Sequence, residues 1–185
     1  MTHSVELDRG TLLEVIRESA IVRDRVTLSS GKEADWYLDL RRITLSGVAA
    51  PMVGRVMLDL VRELEFDAIG GLTMGADPVA AAMLHAAAAD GRSLDAFVVR
   101  KTGKAHGLQQ RVEGPSIRGR RVLVLEDTST TGGSALEAVA AVREAGADVA
   151  AVAVIADRAT GAAERIEAEG VPYLWAYGLQ DLGIS

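Results

Sequence analysis

Apolar residues follow two alternating patterns along most of the chain. Short runs that are almost wholly apolar alternate with longer segments in which apolar residues recur every three or four positions. The short runs are typical of buried strands and the longer segments of amphipathic helices. Strands are predicted at residues 68–72, 96–99, 122–125, 149–155 and 173–177, and helices at 77–89, 134–145 and 161–169. This alternation predicts an α/β fold, a mainly parallel central sheet with helices on both faces.

Helix boundaries and the N-terminal part complete this outline. Pro78 suits the first turn of a helix, and Gly146 suits the end of one. The first part of the chain breaks the alternation, with helices predicted at 6–20 and from an N-cap at Ser46 to about residue 64, and extended segments at 25–28 and 36–40. We expect a single domain over residues 1–185, with an N-terminal helix and hood-like segment at about 1–65 and a parallel-sheet core at about 66–185.

Polar segments directly follow four of the predicted strands. They are residues 73–76, 100–101, 126–133 and 157–158. The carboxyl ends of parallel strands meet at one edge of the sheet, which is where ligands bind in open α/β folds. The pattern therefore predicts one ligand site to which all four segments contribute.

The segment from residue 126 to 134 has the composition of a phosphate-binding turn. An acidic pair is followed by hydroxyl residues and two glycines, just before a predicted helix. Backbone N–H groups and the helix dipole favour a dianionic phosphate there, while the two carboxylates suit neutral ribose hydroxyls. The predicted ligand is a phosphorylated ribose. The candidate residues are Glu126, Asp127, Thr128, Ser129, Thr130, Thr131, Gly132, Gly133 and Ser134.

A basic segment follows the predicted strand at 96–99. Residues 100–111 include Arg100, Lys101, Lys104 and Arg111 and no acidic residue, although the whole chain has a net charge of −6. The connection to the next predicted strand is long for a structureless loop, which indicates a lid. Such a lid could close over a pyrophosphate and exclude water, with His106 as a further donor.

Composition excludes several classes of function. The chain contains no cysteine, which excludes disulfides, thiolate catalysis and a cysteine-based zinc site. No apolar run approaches the roughly 20 residues of a membrane span, and the first ten residues are unlike a signal peptide. The acidic net charge argues against nucleic acids and membrane surfaces as partners. A cytoplasmic location is expected.

Four motifs together resemble one enzyme family. Residues 122–134 resemble the phosphoribosyl-diphosphate motif of type I phosphoribosyltransferases. Arg100-Lys101, followed by Lys104-Ala105-His106-Gly107, resembles the catalytic loop of the orotate phosphoribosyltransferases. Residues 27–32 and 37–42 resemble their N-terminal signature, and Arg158 stands where they keep an arginine for the orotate carboxylate. The similarity runs from about residue 27 to 182 and is strongest with short actinobacterial members.

The resemblance implies a type I phosphoribosyltransferase fold and a specific reaction. Such enzymes transfer the 5-phosphoribosyl group of phosphoribosyl diphosphate to orotate, which yields orotidine 5′-monophosphate and pyrophosphate in pyrimidine (UMP) biosynthesis. It also implies Mg²⁺ held mainly by the substrates, and a homodimer that shares the 101–111 loop between its sites. The implied roles are catalysis by Lys101, Lys104, His106 and Asp127, binding of phosphoribosyl diphosphate also by Arg100, and binding of orotate by Thr130 and Arg158.

Two alternatives are compatible with the phosphate-binding motif. The chain could be a phosphoribosyltransferase for another base, or a non-catalytic regulator that binds phosphoribosyl diphosphate. The sequence also departs from many relatives at Ser29 and Gly75, where they carry lysine, so no pyrophosphate contact is assigned to either side chain. Lys32 is the candidate replacement for the first of these lysines.

Overall fold

A computed structural model describes residues 2–23, 26–27, 33–34, 36–101 and 111–184. The helices are α1 (Thr2–Ser19), α2 (Arg41–Thr44), α3 (Ala50–Leu60), α4 (Ala76–Ala89), α5 (Gly133–Glu144), α6 (Ala162–Glu167) and α7 (Leu179–Leu182). The strands are β1 (Ile21–Val22), β2 (Val26–Thr27), β3 (Glu33–Ala34), β4 (Tyr37–Leu38), β5 (Ala68–Leu72), β6 (Asp95–Val99), β7 (Val112–Glu113), β8 (Arg121–Ser129), β9 (Asp148–Asp157) and β10 (Tyr173–Tyr177).

The main sheet has six strands in the order β10-β9-β8-β5-β6-β7. All neighbours from β10 to β6 pair in parallel, and β7 joins the edge antiparallel to β6. In the N-terminal part, β1 pairs with β4 and β2 with β3 as short antiparallel ladders. The α/β prediction is confirmed. No helix in the described ranges is both long and apolar enough to cross a membrane.

Two apolar layers cover the sheet, and strand alternation decides which residues enter each. Along β8, Leu123 and Leu125 belong to a layer that includes side chains of α1, α3 and α4. Val122 and Val124 belong to the layer formed with α5 and α6. Successive residues of a strand point to opposite faces, so this alternation also governs the polar residues that follow in β8.

Most predicted elements of the sheet core are found within a few residues of the predicted bounds, but two predictions are wrong in detail. The helix predicted to begin at Ser46 begins at Ala50 and ends at Leu60, after the unpredicted short helix α2. The Ser46 hydroxyl accepts hydrogen bonds from the N–H groups of Val48 and Ala49, each at 3.3 Å, so it caps the preceding turn instead. The segment 126–129, predicted as loop, continues β8 because β9 pairs alongside it as far as Asp157.

Candidate active site

The carboxyl ends of β5, β6, β8 and β9 lie along one edge of the sheet, as their parallel pairing requires. This edge brings together residues 73–76 after β5, Arg100 and Lys101 after β6, the end of β8, and Arg158 after β9. The predicted convergence of the four polar segments is confirmed. The site is therefore built on rigid strand ends rather than on a single long loop.

The acidic pair at the end of β8 divides between the two faces of the sheet. Asp127 follows Leu125 on the α4 side, where it lies beside Gly75. Glu126 follows Val124 on the α5 side, where Ser134 and Lys101 influence its carboxylate. The two carboxylates thus flank the strand end, and each has its own surroundings.

Burial of Glu126 shifts its protonation strongly. Burial, followed by the nearby charge of Asp127, raises the pKa of Glu126 to about 8. Ser134 and the Lys101 ammonium act in the opposite direction. A carboxyl group with such a pKa holds its proton at neutral pH in the ligand-free site, and it loses that proton most readily when further positive charge approaches.

This shift predicts how stability depends on pH. Between about pH 4.5 and 8 the folded chain retains a proton on Glu126 that the unfolded chain releases. The contribution of this group to the free energy of unfolding is therefore fully present at low pH and falls as pH rises through that interval. Above the interval it does not fall further. Glu126→Gln is expected to abolish this part of the decline, measured by thermal unfolding without ligand across the interval.

A matched control is Glu144→Gln, which changes an exposed carboxylate at the end of α5. It should follow the pH profile of the unsubstituted protein. Parallel profiles for Glu126→Gln and the unsubstituted protein would mean that Glu126 titrates normally.

Asp127 is 9% exposed and occupies space that a side chain at residue 75 would need. One carboxylate oxygen accepts a hydrogen bond from the Thr128 N–H at 2.7 Å. A Cβ atom at Gly75 would lie 2.9 Å from the same oxygen. Burial raises the pKa of Asp127, and Arg41 at the start of α2 opposes this shift. Arg41 therefore lies near Asp127. The sequence analysis did not predict this proximity, because the two residues are far apart in the chain.

Two carbonyl groups of the turn after β8 are hydrogen-bonded to side chains that follow β9. The Thr130 carbonyl accepts a hydrogen bond from the Thr160 hydroxyl, and the Thr131 carbonyl accepts one from Arg165 at 2.6 Å. A peptide N–H points opposite to its carbonyl, so the two following amides face away from these partners. Gly132 has a φ of 73° and packs on Ile166, and α5 begins immediately after it. The arrangement suits an anion at the helix N-terminus.

The hydroxyl residues of the motif differ in accessibility. Thr130, Thr131 and Ser134 are exposed. The Ser129 side chain is 2% exposed, and the oxygens of Ser129 and Thr128 are both buried without a protein partner. The accessible hydroxyls therefore belong to the turn and to the first turn of α5, rather than to the strand.

Arg158 is held at the end of β9 with its guanidinium against an aromatic ring. Its N–H donates to the Ser129 carbonyl at 3.0 Å, which joins the ends of β8 and β9. The guanidinium carbon lies 4.6 Å from the centre of the Trp36 ring. Its Nε is buried without a partner, and burial lowers the pKa of the side chain. A guanidinium stacked by its face keeps its edge available for a planar anion.

Comparison with known proteins decides the family. A sequence model of the phosphoribosyl transferase domain family matches residues 50–172 of this chain. An orotate phosphoribosyltransferase of Streptomyces coelicolor is 72% identical over 96% of this chain and 98% of its own. The chain belongs to the orotate phosphoribosyltransferase family.

Solved structures of the orotate phosphoribosyltransferase family have the same fold. One from Mycobacterium tuberculosis H37Rv in complex with 5-phospho-α-D-ribosyl 1-diphosphate has a TM-score of 0.83 and 52% identity, covering 96% of this chain and 99% of its own. One from Aeropyrum pernix has a TM-score of 0.77 and 29% identity, covering 92% and 95%. The family's fold therefore holds over nearly the whole chain.

The basic segment of this chain is described only at its two ends. Lys101 is exposed and close enough to Glu126 of its own chain to lower the pKa of that carboxyl group. Arg111 donates to the Arg100 carbonyl and forms an ion pair with Glu137, and Arg100 lies 3.6 Å from Glu113. Part of the predicted positive charge is therefore paired with acids distant in sequence. Lys104 and His106, like Ser29 and Lys32, lie outside the described residues.

Proposed function

We propose that this chain transfers the phosphoribosyl group of phosphoribosyl diphosphate to orotate, forming orotidine 5′-monophosphate and pyrophosphate in pyrimidine (UMP) biosynthesis. The observation that carries the proposal is one sheet edge with three complementary groups: a helix N-terminus suited to an anion, a carboxylate pair and a separate guanidinium. Relatives that are 56–72% identical bear the name of this activity.

The ribose phosphate is assigned to the end of β8 and the start of α5. The N–H groups of the turn, with the hydroxyls of Thr130, Thr131 and Ser134, would hold the 5′-phosphate. Glu126 and Asp127 would accept hydrogen bonds from the two ribose hydroxyls, one from each face of the strand. This places the anomeric carbon near the ends of β5 and β6. The complete set assigned to phosphoribosyl diphosphate is Arg100, Lys101, Lys104, His106, Glu126, Asp127, Thr128, Ser129, Thr130, Thr131, Gly132, Gly133 and Ser134.

Orotate is assigned to Arg158 and Thr130. The Arg158 guanidinium is stacked on Trp36, so its edge can bind the orotate carboxylate with two parallel hydrogen bonds. Thr130 is exposed on the neighbouring turn. Together they would direct N1 of the base toward the anomeric carbon.

The chemistry then requires positioning and charge neutralisation. N1 of orotate forms the bond to the anomeric carbon and gives up its proton to solvent water, while the bond from that carbon to the pyrophosphate oxygen breaks and its electron pair leaves with pyrophosphate. Positive charge develops on the ribose, beside Glu126 and Asp127. Negative charge develops on pyrophosphate, where Lys101, Lys104 and His106 would stabilise it.

Magnesium fits this edge as a cofactor bound largely by the substrate. No side chain is assigned to the ion, although the carboxylates of Glu126 and Asp127 at the strand end would favour a cation nearby. Within the described ranges, no three acidic or histidine side chains converge on one point. The ion would thus take most of its ligands from the diphosphate, the ribose and water, and it would offset the charge of the leaving group.

A homodimer and a cytoplasmic location are also part of the proposal. Leu45 and Val48 are 72% and 77% exposed, large fractions for apolar side chains. Leu45 lines a groove of about 530 Å³ between α3 and α4, and α4 begins at the site's own 73–76 turn. A second copy seated there would lie close to the site, within reach of a shared loop.

The cysteine-free composition suits the cytoplasm.

Mixed dimers test the sharing of the 101–111 loop. Lys101 lies near Glu126 of its own chain, whereas Lys104 is proposed to serve the partner's site. A dimer of Lys104→Ala and Asp127→Asn subunits would then contain one intact site, and random mixing should restore about a quarter of the activity. Mixing Lys101→Ala with Asp127→Asn should restore none. Equal failure of both mixtures would contradict the shared loop.

A base panel tests the reaction itself. The protein is incubated with phosphoribosyl diphosphate, Mg²⁺ and, in turn, orotate, uracil, hypoxanthine and adenine, and pyrophosphate release is measured. Release with orotate alone is expected. Release with another base instead would support a different phosphoribosyltransferase, and binding of phosphoribosyl diphosphate without any release would support a regulator.

A further inference from the structure

Arg111 ends the basic segment, and its guanidinium is bonded to the protein itself. Its Nε and Nη2 atoms donate to the Arg100 carbonyl at 3.1 and 3.0 Å, and Nη2 also donates to the Lys101 carbonyl at 3.3 Å. The same Nη2 group donates to the Glu137 carboxylate on α5. One guanidinium therefore joins the first residues of the basic segment to a helix of the core.

The two carbonyl groups lie where the sheet ends. Strand β7 has only two residues and pairs with β6 as far as Val99. One further backbone hydrogen bond, from the Arg100 N–H to the Arg111 carbonyl at 2.8 Å, continues this pairing. The Arg111 guanidinium extends the support by one residue, to the Lys101 carbonyl. Arginine suits this task because its planar group offers several N–H donors in fixed directions.

Glu137 connects this support to the acidic pair of the site. It lies three residues after Ser134 in α5, and residues three apart share a face of a helix. Ser134 and the Lys101 ammonium both act on the carboxyl group of Glu126. Helix α5 thus acts on Glu126 directly through Ser134, and it holds Lys101 beside the same carboxyl group through Glu137 and Arg111.

We propose that Arg111 is a positioning residue for Lys101: held by Glu137, its guanidinium fixes the Lys101 backbone so that the Lys101 ammonium meets the leaving pyrophosphate. The inference rests on the role of Lys101 in the proposed function. Arg111 touches no substrate in this role, because its charge is paired with Glu137 and its N–H groups are bonded to backbone carbonyls.

Glu137→Ala tests the proposal, because a positioning role and a plain charge effect predict different results. Without its carboxylate partner the Arg111 guanidinium no longer fixes Lys101, and kcat is expected to fall about tenfold, since a displaced catalytic group loses much of its effect. Were Arg111 instead a cation for pyrophosphate, Glu137→Ala would free its charge and kcat would not fall. An unchanged or raised kcat in Glu137→Ala would therefore overturn the proposal.

Glu144→Ala is the matched control, the same substitution at an exposed position of α5. It should retain full kcat. The Glu137 side chain is 42% exposed, so Glu137→Ala is expected to remain folded, which thermal unfolding would verify.

The pKa of Glu126 gives a readout that needs no turnover, measured from the ¹³C shift of its carboxyl group in the ligand-free protein. Within the described residues, the charges that act on this group are those of Asp127 and Lys101. Glu137 is not among them, so Glu137→Ala can act on Glu126 only by displacing the Lys101 ammonium. The pKa of Glu126 is then expected to rise, because a cation has moved away. An unchanged pKa would contradict the positioning role.

Lys101→Ala separates this inference from the assignment on which it rests. Adding Glu137→Ala to Lys101→Ala should lower kcat by less than a further factor of about two, because the positioned residue is already absent. A further tenfold loss would overturn the proposal. If Lys101→Ala alone leaves kcat unchanged, both the assignment of Lys101 and the role of Arg111 are wrong. If Lys101→Ala lowers kcat but Glu137→Ala does not, only the role of Arg111 is wrong.

Discussion

Lys101→Ala is expected to lower kcat by about 100- to 1,000-fold, the usual effect of deleting one preorganised group that stabilises developing negative charge. Lys101 is at the carboxyl end of β6, exposed and near Glu126. In the proposed arrangement its ammonium group would contact the pyrophosphate as it leaves a ribose bound to Glu126 and Asp127. The KM for phosphoribosyl diphosphate should change much less, because the 5′-phosphate is assigned to the separate turn at the start of α5.

Steady-state kinetics with both substrates varied would check this result. Arg121→Ala is a suitable control, because Arg121 is an exposed cation at the opposite end of β8. It should retain full kcat. If Lys101→Ala instead raised the KM for phosphoribosyl diphosphate with kcat intact, Lys101 would hold the substrate in its ground state rather than stabilise the leaving group.

Arg158→Ala is expected to raise the KM for orotate by about 30-fold or more, the loss that corresponds to hydrogen bonds with a charged group. The guanidinium is stacked on Trp36 and joined to β8 through its backbone, so its position is set before orotate binds. Arg158→Lys should recover only part of the loss, because an ammonium group cannot bind a carboxylate through two parallel N–H bonds.

A calorimetric titration with orotate in the presence of pyrophosphate would measure this change in affinity directly. Arg143→Ala removes an exposed arginine near the C-terminus of α5 and should leave orotate binding unchanged. Unchanged affinity in Arg158→Ala would require a different cation for the orotate carboxylate, and Arg41 would be the first to examine.

The sequence predicted the sheet and the edge that carries the site, because both depend on local patterns. Runs of apolar residues mark buried strands, and polar segments after them mark the carboxyl edge. The C-terminal end of β8 was predicted wrongly because it does not depend on a local pattern. Glu126, Asp127, Thr128 and Ser129 are polar, and only their pairing with β9 keeps them in a strand. Pairing between distant segments leaves no periodic signal.

The side-chain contacts of the site residues could not be predicted from the sequence either. Trp36 reaches Arg158 from the N-terminal part, and Glu137 of α5 pairs with Arg111. Tyr173 was predicted only as a strand residue, yet its hydroxyl bonds to Asp157. Each of these contacts joins elements far apart in the chain. The sequence offers the residue types, but the partner of a given charge or hydroxyl is decided by the packed fold.

The division of Glu126 and Asp127 between the faces of β8 has a mechanical consequence. One side chain belongs with the helical layer of α5 and α6, and the other with the layer of α1, α3 and α4. A sugar that bonds to both carboxylates therefore ties the two layers together across the sheet edge. Ligand binding should slow amide hydrogen exchange in both layers, including segments that never contact the ligand.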